Sequence, residues 1–139
     1  MSPDESALLA LQRATHVTLH ALGRELACLG LTAAEINALA SLADGRARTV
    51  SELGAATGSR PTTVTSVLDR LEQRGHVTRG PRPGDRRAVL IELTGTGRQA
   101  AATIRQTLAG LEQRALADLD PGALAGFHAV LHALMEVPS

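Results

Sequence analysis

The 139-residue chain has almost no aromatic residues and no lysine. Phe127 is its single aromatic residue, so leucine and alanine must fill the core of a chain that is 44% hydrophobic. Arginine supplies all of the positive charge and occurs throughout the chain, so we give the missing lysine no functional meaning. A chain of this length is typical of one domain with a real hydrophobic core.

Features of several protein classes are also missing. Cys28 is the single cysteine, which excludes an internal disulfide, a cysteine-based zinc finger and a redox CxxC motif. No apolar run is long enough to span a bilayer, and the acidic start lacks the basic region of a signal peptide. A glycine-rich phosphate loop after a strand, a nucleophile elbow and an HExxH motif are absent too. We therefore expect a cytoplasmic protein without membrane contact, which is not an enzyme and requires no cofactor.

Charge is distributed unevenly along a chain whose formal net charge is zero. Residues 46–98 contain ten arginines and five acidic residues, a net charge of +5, whereas the two flanking segments together carry −5. Clustered arginine is the electrostatic footprint of nucleic-acid binding. The middle of the chain is therefore the candidate DNA-binding region.

Hydrophobic spacing predicts a mainly α-helical fold with a small β-hairpin. Leucines at three- and four-residue steps predict one long helix over residues 5–29, which ends at Gly30. Residues 32–35 form a capping box for a short helix. Ser51 is predicted to cap a second short helix that runs to about Thr57.

A further helix is predicted between Pro61 and Arg74, with Gly75 as its stop. Its apolar residues share one face, which we expect to be buried: Val64, Val67, Leu68 and Leu71. At 100° per residue, the polar residues that project away from this face are Ser59, Thr62, Ser66, Asp69 and Gln73, flanked by Thr63, Thr65 and Arg70. Short uncharged side chains let a helix backbone approach base edges closely. The alternative interpretation is a helix face that is merely solvated.

Two β-rich runs, residues 76–79 and 88–93, follow this helix and predict an antiparallel hairpin. The loop between them, residues 80–87, contains two prolines, two glycines and three arginines. A basic loop of this kind can place Arg82 or Arg86 in a narrow minor groove while the preceding helix lies in the major groove. We expect Asp85 to pair with Arg87 and to orient the loop.

The last part of the chain predicts two more helices. Thr94 caps a long one, and residues 120–121 open a final one that carries Leu124, Phe127, Leu131 and Leu134. Their narrow apolar seams would expose sizeable area if left unpaired, so an intermolecular helix bundle and an isologous homodimer are expected. A two-fold dimer places two reading helices about one DNA turn, ~34 Å, apart.

Three motifs resemble the winged helix-turn-helix core of the MarR family of bacterial transcriptional regulators. They are DRLEQRG at residues 69–75, Asp-x-Arg at residues 85–87 and LTxxG at residues 93–97. The resemblance implies a single MarR-like domain over residues 1–139, with dimerisation helices at 5–30 and 95–136 around a winged helix-turn-helix DNA-binding lobe at 32–94. It further implies a homodimeric repressor of transcription that binds a pseudo-palindromic double-stranded DNA operator.

Candidate DNA contacts follow from the helix faces and from this resemblance. Thr65 and Arg70 match the family's usual helix residues, and Arg86 and Arg87 match its wing arginines. Ser66 stands where many members carry a larger basic residue. The complete set is Ser59, Arg60, Thr62, Thr63, Thr65, Ser66, Arg70, Arg82, Arg86 and Arg87.

The resemblance also implies a small-molecule effector, often an aromatic acid or phenolic compound, in a pocket beside the dimer helices. His16 and His20 are the candidate pocket residues. Two histidine pairs, His16/His20 and His128/His132, are spaced i, i+4, an arrangement that zinc accepts. The alternatives are thus a zinc-responsive regulator of the same fold, or histidines that line an interface or pocket.

Two further alternatives concern a redox role for Cys28 and the kind of molecule that the protein binds. Peroxide-sensing relatives carry their reactive cysteine near the start of the first helix, whereas Cys28 lies near its end, so we expect a packed thiol rather than a redox switch. A helical protein-interaction module without DNA binding is the alternative function. Salt dependence separates it from a DNA-binding protein, whose affinity falls with a log-log slope of about −0.9 per phosphate contact.

Overall fold

The computed structural model describes residues 4–138, except for the side chain of Arg86, and is mainly α-helical with a small sheet. The described helices are α1 (Ala7–Glu25), α2 (Ala33–Ser41), α3 (Val50–Thr57), α4 (Pro61–Gln73), α5 (Gly95–Leu116) and α6 (Pro121–Met135). The strands are β1 (Arg48–Thr49), β2 (Val77–Arg82) and β3 (Asp85–Leu93), and they form an antiparallel sheet in the order β1-β3-β2. This architecture confirms the predicted helical fold with a β-hairpin wing.

The chain folds as two compact units, Met1–Leu108 and Ala109–Ser139. The first unit contains α1 to α4, the sheet and the beginning of α5. Its core is built on leucine and isoleucine, as the lack of aromatic residues requires, and the completely buried examples include Leu39, Leu68, Leu71, Ile91 and Ile104. The second unit contains the end of α5 and all of α6, and no residue of α6 is buried. Within the described residues, no helix has both the length and the apolar character needed to cross a membrane.

The first helix is shorter than predicted. Ser6 caps α1, which ends at Glu25, and a short 3₁₀ helix (Ala27–Leu29) then continues to Gly30, whose φ of 64° lies in the left-handed region. The single predicted helix over residues 5–29 was wrong because leucine spacing does not separate one α-helical turn from one 3₁₀ turn. Leu26, at the junction, is 2% exposed and fixes both pieces to the core.

The two short helices that follow both begin with a capping box. In the predicted box the Thr32 hydroxyl accepts from the Glu35 backbone N–H (3.2 Å), and Glu35 Oε1 accepts from the Thr32 N–H (3.2 Å). The second box uses Thr49 and Glu52 in the same way, so the prediction that Ser51 caps this helix was wrong. Thr49 is preferred because a glutamate stands three residues after it, whereas Gly54 follows Ser51 at that distance.

Helix α4 agrees with its prediction. Pro61 occupies the first turn, and the predicted apolar face is buried: Val64, Val67, Leu68 and Leu71. The helix ends at Gln73 with Arg74 as the C-cap, and Gly75 follows with a φ of 78°. The direction of the opposite, polar face is thereby fixed as well.

The hairpin formed by β2 and β3, called the wing below, has longer strands than predicted. Only Pro83 and Gly84 connect them, and Gly84 adopts a φ of 83°. The pairing is regular from Val77 opposite Leu93 to Pro81 opposite Val89, and then shifts. The prediction of a loop over residues 80–87 was wrong because β2 is an edge strand, where Pro81 is tolerated without donating to the sheet.

Thr94 joins the wing to α5. Its hydroxyl oxygen accepts from the Gly97 N–H (3.0 Å) and confirms the predicted cap, while the same hydroxyl donates to the carbonyl oxygen of Gly75 (2.6 Å). The Thr94 backbone N–H donates to the His76 carbonyl oxygen (3.0 Å). The start of α5 is therefore tied to the turn that ends α4. The predicted opening of α6 at residues 120–121 is confirmed, although the Asp120 side chain makes no capping hydrogen bond.

Candidate nucleic-acid interface

The exposed side of α4 carries most of the predicted helix contacts. Thr62, Thr63, Ser66 and Arg70, called the reading face below, are all exposed. Short hydroxyl side chains occupy the amino-terminal half of this surface, and the one cation lies a turn further on. The structure therefore brings these four predicted residues onto one accessible surface.

The amino end of α4 is open. Arg60 is the N-cap residue and its side chain makes no capping hydrogen bond, while Pro61 removes one of the free backbone donors. The remaining amides of the first turn point out of the helix end, where the helix dipole favours an anion. Ser59 is half-buried in the preceding turn, and its N–H donates to the Gly54 carbonyl oxygen (3.0 Å). This geometry suits contact between the helix end and a phosphate.

The turn between α3 and α4 is tight, and Gly54 makes it possible. A Cβ on Gly54 would lie 3.0 Å from the Ser59 carbonyl oxygen, which is closer than nearly all real Cβ contacts. A larger residue would therefore move α4 relative to α3. Gly54 was not among the predicted site residues. A glycine inside a short helix was the signal in the sequence that another part of the backbone lies close to that position.

Thr65 lies at the edge of the reading face. Its hydroxyl donates to the Pro61 carbonyl oxygen (2.9 Å), and it lines a groove between α4 and the wing together with Gly80, Pro81 and Val89. Thr65 therefore faces the wing more than the open side of α4, although its side chain remains exposed.

Among the described residues, Arg70 makes polar contacts with Ser66 and Glu35. Its Nη1 donates to Ser66 Oγ (3.3 Å), and its Nε lies 3.8 Å from Oε1 of Glu35. Glu35 is 2% exposed, which makes it the buried charged residue beneath the reading face. Sequence reasoning treated Glu35 only as part of a capping box. Its spacing four residues before the core residue Leu39 was the signal that it also points inward.

Arg74 fixes the carboxyl end of α4. Its guanidinium donates to the carbonyl oxygens of Gly30 (2.5 Å) and Leu29 (3.2 Å), and its Nη1 lies 3.9 Å from Glu35 Oε2. These carbonyls end the 3₁₀ helix, where backbone acceptors would otherwise need solvent. Arg74 therefore links the end of α4 to the α1–α2 junction.

Arg79 fixes the wing to α4. Its Nη2 pairs with Asp69 Oδ1 (2.7 Å) and Glu72 Oε1 (2.8 Å), while its Nε donates to Glu72 Oε2 (3.3 Å). The hydrogen bonds from Arg79 lower the pKa of Glu72 and the same contacts raise the pKa of Arg79. Asp69 projects from the same side of α4 as Ser66, and its negative charge is balanced by the guanidinium of Arg79.

The tip of the wing is exposed and basic. Arg82 and Arg87 are both exposed, and the side chain of Arg86 lies outside the described part of the structure. Asp85 contacts Arg87 as expected, but its Oδ1 accepts from the backbone N–H (3.0 Å) rather than from the guanidinium. The carboxylate therefore shapes the turn of the wing.

The histidines of the two predicted pairs are not buried. His16 and His20 lie on α1, whereas His128 and His132 lie on α6, where His132 Nε2 is 3.3 Å from Glu136 Oε1. Residues 4–138 contain no group of three or more His, Cys, Asp or Glu side chains placed to hold a metal ion.

Cys28 is exposed, so the expectation of a packed thiol was wrong. It lies in the 3₁₀ helix, whose turn directs Leu26 into the core and Cys28 outward. The thiol therefore contributes nothing to the core of the unit.

Comparison with known proteins supports the same fold and motif. Residues 29–88 match the model of the MarR family. The chain is 40% identical over 63 residues to the uncharacterized HTH-type transcriptional regulator YcgE of Bacillus subtilis, a match that covers 45% of this chain and 41% of that protein. It is 37% identical over 67 residues to the HTH-type transcriptional repressor NicR of Pseudomonas putida, which covers 48% and 42% respectively. The chain thus matches about two-fifths of the length of these curated relatives.

Solved structures extend the similarity over nearly the whole chain. Reduced MarR from E. coli is 25% identical with a TM-score of 0.76, covering 96% of this chain and 98% of that one. BpsR from Bordetella bronchiseptica, described for the regulation of its DNA binding by 6-hydroxynicotinic acid, is 25% identical with a TM-score of 0.80 and 99% coverage of both chains. CouR from Rhodococcus jostii RHA1, bound to p-coumaroyl-CoA, shares the fold with a TM-score of 0.87 at 21% identity, covering 100% of this chain and 98% of that one.

Proposed function

Because residues 29–88 match the model of the MarR family and the chain shares the fold of reduced MarR from E. coli, we propose that it is a MarR-family winged helix-turn-helix protein, a sequence-specific regulator of transcription that binds double-stranded DNA. It acts in the cytoplasm as a homodimer on a pseudo-palindromic operator, represses transcription, and catalyses no reaction. One observation carries this proposal: Arg79 fixes the wing, with its exposed basic tip, to α4, with its exposed polar face.

The helix and the wing make different kinds of contact. The reading face of α4 enters the major groove, where Thr62, Thr63 and Ser66 approach base edges or phosphates. Ser59 and Arg60 lie at the open amino end of α4, which receives a phosphate, and Thr65 lies between the helix and the wing. The arginines of the wing, Arg82, Arg86 and Arg87, contact phosphates or the narrow minor groove.

The dimer proposal rests on exposed apolar surface. Helix α6 consists mostly of apolar residues and buries none of them, and Leu124, Phe127 and Val130 are each 45% to 51% exposed. Water disfavours an apolar surface of this kind, whereas a second copy of the chain would cover it. An isologous interface then brings two reading helices to one operator.

A small-molecule effector would complete the regulation. BpsR, the similar protein from Bordetella bronchiseptica, is described as regulated in DNA binding by 6-hydroxynicotinic acid. We propose an aromatic acid or related compound for this chain, with His16 and His20 on α1 as candidate pocket residues. Such an effector must bind the DNA-free and DNA-bound states with different affinity in order to shift the equilibrium between them.

Salt dependence of DNA binding tests the proposed function. The operator is first selected from a random duplex pool, and its affinity is then measured between about 50 and 200 mM salt, where several phosphate contacts produce a steep log-log slope. Arg82→Ala should weaken binding several-fold and flatten the slope by roughly one contact, about 0.9. Arg105→Ala, which removes the same charge from an exposed position of α5, should leave the slope unchanged. Absence of salt-dependent binding by the unmodified chain would instead favour a protein-interaction module.

A further inference from the structure

A buried carboxylate lies beneath Arg70 of α4 and Arg74, the C-cap residue of that helix. The Glu35 side chain is 3% exposed, its Oε1 is 3.8 Å from Arg70 Nε, and its Oε2 is 3.9 Å from Arg74 Nη1. Within the described part of the chain, Oε2 has no hydrogen-bond partner. A buried carboxylate is costly unless cations compensate it, so this position indicates a role beyond capping α2.

The two arginines depend on Glu35 to different degrees. Arg74 already donates to the carbonyl oxygens of Leu29 and Gly30, which fix its position. Arg70 makes one described hydrogen bond, to Ser66, and its side chain remains 48% exposed. The attraction of Glu35 is therefore the main restraint on Arg70.

We propose that Glu35 is a positioning residue that holds Arg70 beside Ser66 on the reading face and prevents it from acting as a general phosphate contact. This inference rests on the proposed DNA-binding function. An arginine whose charge is offset within 4 Å gains little from a phosphate, yet its N–H groups still match the acceptors of a guanine edge. Arg70 thus contributes to discrimination between sequences more than to salt-dependent affinity.

The chain offers a conservative variant and a matched control. Glu35→Gln removes the charge but keeps a side chain that serves equally well in a capping box. Glu52→Gln makes the same change in the second capping box, where the glutamate side chain is bonded to Thr49 and is exposed. Any effect of losing a capping carboxylate itself should therefore appear in both variants.

The experiment compares two duplexes of equal length and composition, one selected from a random pool and one shuffled. Glu35→Gln should bind the shuffled duplex several-fold more tightly, with a slope steeper by about 0.9, because Arg70 gains a phosphate contact. The affinity ratio between selected and shuffled duplexes should fall about tenfold, which is the scale of one bidentate base contact. Glu52→Gln should keep the affinity ratio of the unmodified chain, and any change in its slope would reflect the electrostatic attraction between Glu52 and Arg82.

A second variant tests the same idea without altering Glu35. Arg70→Met should lower the affinity ratio while leaving the slope on the shuffled duplex unchanged. Adding Glu35→Gln to Arg70→Met should then change neither quantity further, since Glu35 acts through Arg70. An unchanged ratio and slope in Glu35→Gln would overturn the proposal, as would a Glu35 effect that persists without Arg70.

These outcomes are distinct from failure of the proposed function. If the unmodified chain binds neither duplex in a salt-dependent way, the DNA-binding proposal fails and the role of Glu35 in it fails as well. If the unmodified chain discriminates between the duplexes but the variants do not behave as described, only the positioning role is rejected. Should Glu35→Gln not fold, the slope and ratio of Arg70→Met decide the matter.

Discussion

Gly97 passes so close to His76 that a Cβ on Gly97 would overlap with the carbonyl oxygen of His76. That carbonyl oxygen also accepts the backbone N–H of Thr94, the residue that caps α5. The last residue of the LTxxG motif is therefore a glycine because the first turn of α5 crosses the backbone between α4 and the wing. The contact holds the start of α5 in register with α4 and the wing.

Gly97→Ala should destabilise the protein by about 1–3 kcal/mol, because backbone atoms must move to admit the methyl group. The free energy of unfolding from chemical denaturation measures this loss. Gly95→Ala is the matched control, since a Cβ at Gly95 meets nothing within 4 Å. An equally small effect of both substitutions would contradict the close approach.

Attachment of the wing by Arg79 should make stability depend on pH. The hydrogen bonds from Arg79 lower the pKa of Glu72 below its ordinary value of 4.5. The stabilisation that the Arg79–Glu72 contact gives to the fold is complete above pH 4.5. It is lost as the pH falls through the pKa that Glu72 has in the folded protein, because protonation of Glu72 then favours unfolding. Thermal denaturation between about pH 6 and pH 3 should therefore show a larger fall in Tm for the unmodified chain than for Glu72→Gln.

The control for this pH dependence is Glu92→Gln, which changes an exposed glutamate of β3 with no ion pair among the described contacts. Its Tm should follow that of the unmodified chain across the whole pH range. Parallel Tm curves for Glu72→Gln and the unmodified chain would exclude the Arg79–Glu72 contact as the cause.

Oligomeric state should depend on the apolar surface of α6. Light scattering at micromolar concentration should give a dimer for the unmodified chain and a monomer for Phe127→Glu, since a carboxylate cannot be buried unpaired in an apolar interface. Gln113→Glu adds the same charge at an exposed polar position and should remain dimeric. A monomeric unmodified chain would refute the dimer proposal.

Sequence preference should depend on the hydroxyls of the reading face. Thr62→Ala and Ser66→Ala should alter the half-site recovered from a random duplex pool, because direct readout occurs at base edges. The log-log salt slope should change little, since an uncharged side chain releases no counterions. Identical selected half-sites for both variants and the unmodified chain would show that these hydroxyls do not read bases.

Local patterns in the sequence predicted the elements that carry the candidate site. The buried face of α4 followed from helical spacing alone, and Thr94 was identified as a cap from the residues around it. These features depend on neighbours within a few positions of the chain. Even the errors at Ser51 and in the wing loop were local, because the predicted and observed positions of the cap and of the strand ends lay within three residues of each other.

Interactions between distant segments could not be predicted in this way. The bonds from Arg74 to Leu29 and Gly30 span more than 40 residues, and the approach of Glu35 to Arg70 joins two helices. No periodicity encodes which charged side chain of one helix meets which side chain of another. The restraint on Arg70 is visible only once α2 and α4 are packed together.

Selection of bound duplexes from a random pool tests the central claim most directly, because it examines groove contact and dimer geometry together. We expect an enriched inverted repeat whose two half-sites are centred about 10–10.5 base pairs apart, or a multiple of that spacing, since each reading helix must face the same side of the duplex. Failure to enrich any sequence, or enrichment of a single unpaired half-site, would contradict the account of this chain as a dimeric DNA-binding regulator.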